Sequence, residues 1–73
     1  MKEPIKSIVR ENILKGLYRK EMTGKKLATI CGIPYSTISS YICGKVNISL
    51  ENAVKVADAL DITVNDLISG YYD

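Results

Sequence analysis

The sequence predicts an all-α fold, a compact bundle of five short helices making one domain over residues 1–73, and three observations predict it. Apolar residues recur at helical spacing in segment after segment, as in Ile5, Ile8, Val9, Ile13 and Leu17, or Leu27, Ala28 and Cys31. Each segment is bounded by helix punctuation: Thr23, Ser49 and Thr63 as starts, and Gly32, Gly44 and Asp61 as stops. A hydrophobic content of 47%, with five Tyr but neither Trp nor Phe, suffices for a small helical core and exceeds what a disordered chain carries. A chain of 73 residues buries little more than half of its unfolded surface, so that core has to be economical.

Pro4 can open the first helix, because its fixed φ suits a first turn, and the helix is expected from about Pro4 to Arg19. Ile5, Ile8, Val9, Ile13 and Leu17 form its inward stripe, and the other face is charged. Gly16 costs such a helix about 1 kcal/mol relative to Ala, which points to close approach of a neighbouring backbone or to an early end. Thr23 caps the second helix, expected over about Gly24 to Cys31, by accepting from a free backbone N–H of the first turn. Gly32 stops it in the left-handed conformation, and Ile33-Pro34 leads into a third helix that runs to about Cys43 before Gly44. In that third helix Ile38, Tyr41 and Ile42 share the inward face, leaving Tyr35, Ser36, Ser39 and Ser40 to project outward. Ala28 is small enough to let the two helices cross closely.

Ser49 caps the fourth helix, with Glu51 in its first turn, and Leu50, Ala53, Val54, Ala57 and Leu60 are expected to form its inward stripe. Asp61 takes a helix-ending position usually given to Gly; Asp tolerates the left-handed region better than most residues. Ile62 anchors the turn. Thr63 caps a last short helix from Val64 to about Ser69, with Val64, Leu67 and Ile68 apolar.

The stretch Lys25 to Lys45, KKLATICGIPYSTISSYICGK, thus reads as two helices folded across a glycine turn. Its Ala28, Gly32 and Ile38 spacing, followed by Gly44-Lys45 and then SLENAVKVADALDITVNDLI, resembles the phage-repressor and Cro-like (XRE family) DNA-binding proteins over about Ile8 to Ile68. The resemblance implies a lambda-repressor-like domain with its helix-turn-helix over about residues 24–43. It implies that the second of those helices enters the major groove and reads base edges from its N-terminal half. Base reading then falls to Tyr35, Ser36, Ser39 and Ser40, with a ring packed on its own helix as the alternative for Tyr35. Phosphate binding falls to Thr23, Gly24, Lys25, Thr37, Lys45 and Asn47. Many relatives carry a glutamine where this chain has Gly24, so only the backbone N–H remains there. An Arg late in the first helix and a Glu late in the reading helix are common in the family; Leu17 and Ile42 stand in their places. An ion pair can be exchanged for two apolar residues at little loss, whereas losing one partner is costly, so the double change puts Leu17 against Ile42.

Charge supports a polyanionic partner. Through Lys45 there are nine Lys and Arg against three Glu, a net of +6; from Val46 on, Lys55 stands against Glu51, Asp58, Asp61, Asp66 and Asp73, a net of −4. Lys25 and Lys26 add positive charge to the positive end of a helix dipole, which an arriving phosphate would reverse; a screened surface pair is the alternative. Without His, Cys31 and Cys43 cannot complete a metal site, and Cys31 reads as a small core residue or, alternatively, a redox switch. No acid pair or glycine-rich phosphate loop suggests an enzyme, and no cofactor is expected. No apolar run reaches 18 residues and the first residues lack a signal-peptide core, so the expectation is a cytoplasmic protein with no membrane partner.

The function expected is that of a sequence-specific regulator of transcription, a repressor acting by occupying a double-stranded operator. A protein-binding role, such as the antitoxin of a toxin-antitoxin pair, is the alternative, favoured by a large acidic or apolar patch on the fourth and fifth helices. A homodimer is expected, because one Ser-rich reading face makes few specific contacts. Ile68, Tyr71 and Tyr72 are the candidate interface, unless both rings fold back on their own domain.

Overall fold

The computed structural model describes residues 4–71, and these form five helices with no strand among them. They are α1 (Ile5–Lys20), α2 (Gly24–Cys31), α3 (Tyr35–Ile42), α4 (Leu50–Ala59) and α5 (Val64–Leu67). α2 packs on α3 and α4, α1 packs on α3 and α5, and α4 packs on α5. One core results, with Ile13, Leu27, Ile38, Val56, Leu60 and Leu67 fully buried at its centre.

The punctuation works as its chemistry requires. Thr23, Ser49 and Thr63 each accept from the backbone N–H three residues on. Gly32 closes α2 at φ +69, and Ile33 N–H reaches back to Ala28 O at 3.1 Å. Asp61 takes φ 56 after α4, and Lys20 of α1 pairs with its carboxylate, holding that group below the usual carboxylate range. Glu21 ends α1 in the same left-handed way at φ 51, a position for which the sequence offered no Gly or Asn signal. Pro4 and Pro34 cap α1 and α3 from just outside, and α5 closes at Leu67, earlier than Ser69.

Gly16 is needed because a side chain stands close: an added Cβ would lie 2.9 Å from Leu60 Cδ1, and Leu60 is fully buried. α1 does not end early. Three side chains then tie the helices together. Asn12 Nδ2 donates to Leu67 O at 2.8 Å and Ser69 O at 3.0 Å, Arg19 Nη2 donates to Leu60 O at 2.9 Å, and Asn52 Nδ2 donates to Tyr41 Oη at 2.9 Å. Asn12 and Arg19 thereby satisfy carbonyls at helix ends that would otherwise lack partners, and Asn52 holds the Tyr41 hydroxyl.

Two apolar stripes differ from expectation. Ile5, the first residue of α1, is 42% exposed, and the buried stripe starts at Ile8 and Val9. In α4 the buried face is Ala53, Val56, Ala57 and Leu60, while Leu50 and Val54 are exposed. Both sets obey helical spacing; the direction of α2 and α5 selects between them, and Val56 replaces Val54. Among the described residues, no helix is long and apolar enough to cross a membrane.

Candidate nucleic-acid interface

The start of α2 is an open hydrogen-bonding end. Thr23 Oγ1 accepts Lys26 N–H at 3.1 Å, and Thr23 O accepts Leu27 N–H, but the N–H groups of Gly24 and Lys25 donate to no protein acceptor. No acidic residue lies in this first turn, and Lys25 and Lys26 are exposed. Two free donors, a hydroxyl proton and two ammonium groups thus gather at the positive end of one helix dipole.

Tyr35 joins that end to α3. Its ring is 46% exposed, and Lys25 Nζ stands 5.7 Å from the ring centroid, within cation–π range. Gly24 lies beneath: a Cβ there would be 2.8 Å from Ile42 Cδ1 and 3.4 Å from Tyr35 Cε1. A side chain at position 24 would therefore press on the end of Ile42 and on the Tyr35 ring, which would have to shift. Leu17 is buried and Ile42 half-buried at the edge of the same core cluster.

Along α3 the hydroxyls are not equally open. Ser36 is exposed, whereas Thr37, Ser39 and Ser40 are half-buried, a correction to the fully outward face expected for Ser39 and Ser40. Ser40 Oγ donates back to Ser36 O at 3.1 Å, which spends its proton and leaves it an acceptor only. α3 ends in a turn with Gly44 at φ +70, and Lys45 N–H donates to Ser40 O at 3.0 Å. Lys45 and Asn47 follow on an exposed loop. The stem of Arg10 lies against this turn, its Cδ 3.2 Å from where a Gly44 Cβ would sit, which brings α1 to the same edge. Its position on the charged face of α1 was the sole hint in the sequence.

The remaining candidates lie elsewhere. Cys31 is half-buried on α2, its Sγ 3.5 Å from Lys55 O, and burial pushes its thiol up against a smaller opposing effect of Lys55; a protonated thiol is a poor redox nucleophile. Cys43 is exposed at the end of α3. Among the described residues no His, Cys, Asp and Glu group could hold a metal ion. In the chain end, Ile68 packs on the core and Tyr71 is half-buried, while Tyr72 lies outside the described residues.

Two short helices packed on each other, the first closed by Gly32 with Ala28 buried and the second exposing Tyr35 and Ser36, define a helix-turn-helix domain. A family model described as Helix-turn-helix matches residues 17–67, from the last turns of α1 to the end of α5, and the chain belongs to this XRE-type family of DNA-binding regulators. No curated protein and no solved structure gives a significant match.

Proposed function

We propose that the protein is a sequence-specific repressor that acts by occupying an operator, with no chemistry of its own. The observation that carries this reading is the basic start of α2, with the N–H groups of Gly24 and Lys25 free, set beside exposed Tyr35 and Ser36 of α3. Thr23, Gly24 and Lys25 take one phosphate, and Thr37, Lys45 and Asn47 take others, which fixes the register of α3 in the major groove. Tyr35, Ser36, Ser39 and Ser40 then read base edges. Short hydroxyls lack the bidentate geometry of Arg or Asn, so each copy reads modestly. Two copies on a near-palindrome, with half-sites about one helical turn apart, supply the selectivity one lacks.

Selection of bound duplexes from a random pool, followed by titration over a salt series, tests the reading. Recovery of near-palindromic sequences whose affinity falls steeply with salt supports it; equal binding of every duplex, or binding insensitive to salt, rejects it.

The antitoxin-like reading has its own support, since α4 carries Glu51 and Asp58 with exposed Leu50 and Val54, and α5 adds Asp66. A protein partner there leaves α3 free for DNA, so the two roles are compatible.

A further inference from the structure

α4 carries an apolar stripe that the bundle leaves uncovered. Leu50 is 75% exposed, Val54, one turn further on the same flank, is 44% exposed, and Val46, on the loop feeding the helix, is 46% exposed. Three of the seven exposed large hydrophobics among the described residues thus fall within the nine residues 46–54, and Leu50 and Val54 share one face of α4 by helical spacing. Beside the stripe lie Glu51 and Lys55, each one position past a stripe residue and therefore on one common flank. Lys55 is the sole basic residue from Val46 onward. A Glu four residues before a Lys is well placed to pair within a helix, yet the ion pair among the described residues is Lys20–Asp61, and Glu51 and Lys55 remain unpaired.

We propose that this stripe docks a second copy of the chain about a two-fold axis, α4 against α4 in antiparallel order. The proposal rests on the two-copy reading above and names the face that makes the contact. Antiparallel order sets each Leu50 against the partner's Val54 and each Glu51 against the partner's Lys55, because reversing the helix exchanges positions four apart. The charge pattern is complementary to its own two-fold image, as an isologous interface requires. A parallel arrangement would set Glu51 on Glu51. Asp58, one turn past Val54 on the same row, falls opposite the partner's loop at Val46, where Lys45 beside it is the charge that can answer the acid. At the chain end, Ile68 is partly buried against its own core. Because the stripe begins on the loop that carries Lys45 and Asn47, the copies meet beside the DNA-facing edge. Three aliphatic side chains fall short of the roughly 800 Å² per partner of a stable complex, so the free dimer is weak and the DNA completes it.

Sedimentation velocity of the full chain at low salt, free and on a duplex selected from a random pool, tests the proposal, with circular dichroism as the check on folding. Leu50→Glu, at an exposed position, keeps the helical spectrum and weakens self-association by about tenfold or more. Glu51→Lys alone and Lys55→Glu alone each place like charges together and also weaken it, while an equimolar mixture of the two variants regains association as a heterodimer. Full self-association by folded Leu50→Glu, or no recovery in the mixture, overturns the face proposed. A wild-type chain that stays monomeric both free and on every selected duplex overturns the two-copy reading itself. A foreign protein that alone covers the stripe in the cell, with no self-association at any concentration, also rejects the proposal.

Discussion

The starts of α2 and α5 have the same backbone geometry and opposite chemistry. Thr23 caps α2 at φ −90 and ψ 163, and Thr63 caps α5 at φ −89 and ψ 162. Each hydroxyl accepts the N–H three residues on at 3.1 Å. In α5 that residue is Asp66, whose carboxylate returns the favour by accepting Thr63 N–H at 3.0 Å, closing a capping box. In α2 it is Lys26, which has only donors and adds charge of the wrong sign for the dipole. The difference shows that cap geometry answers to the fold, whereas the charge in the first turn is free to answer to a ligand. A helix start that is closed locally in α5 is left open, basic and exposed in α2.

The largest expected effect concerns what holds the open end in place. Leu17→Arg alone, or Ile42→Glu alone, should destabilise the protein by about 3 kcal/mol or more, because each puts an unpaired charge at the apolar seat of α2 and α3. The double change should regain part of the loss. A thermal-melt cycle showing plain additivity would mean that the two positions do not touch.

A smaller effect comes from exchanging the two chemistries. Lys26→Glu gives α2 the box that α5 has and should raise stability by about 1 kcal/mol while weakening DNA binding. Asp66→Lys should lower the melting temperature and leave DNA binding unchanged. If Lys26→Glu stabilised the fold without any loss of DNA affinity, the open start of α2 would have no role as a phosphate seat.

The smallest effect is in pH. The backbone N–H of Thr63, followed by its side chain, holds the Asp66 carboxyl below the usual carboxylate range. A depressed folded-state value means that its contribution is complete above the unfolded-state value, near pH 4, and is lost as pH falls through the lower folded one. Melting temperature should therefore drop in acid, and Asp66→Asn should flatten part of that slope. An unchanged slope would show that the box does not carry the acid sensitivity. Asp61, held down by Lys20, loses its contribution over the same acidic window and accounts for part of the remainder.

The local features were legible in the sequence because their causes are local. Caps at Thr23, Ser49 and Thr63, the left-handed stops at Gly32 and Asp61, and the helix-turn-helix spacing each depend on a few adjacent residues. What the sequence left open depends on distant neighbours. The side of α4 that faces inward is chosen by α2 and α5, so Leu50 and Val54 read as core and emerged as surface. Asn12 and Asn52 gave no signal because their partners lie in other helices. Gly24 read as a lost clamp, and only the positions of Ile42 and Tyr35 show how closely α3 packs over it. Ser40 read as an open hydroxyl, yet its proton is taken by the Ser36 carbonyl one turn back, a choice among rotamers that composition does not reveal.

The central claim is that one set of residues positions the protein on phosphate while α3 reads bases, and the salt dependence of DNA binding tests it most directly. Affinity for the selected duplex and for single-base variants of it should be measured across a salt series for wild type, Lys45→Ala and Ser40→Ala. Lys45→Ala should weaken every sequence alike and reduce the log–log salt slope by about one. Ser40→Ala should keep the slope and change the preference at one or two base pairs by about 1 kcal/mol, an acceptor lost from the reading face. Equal, salt-independent losses from both substitutions, with no change in base preference, would contradict the division between positioning and reading.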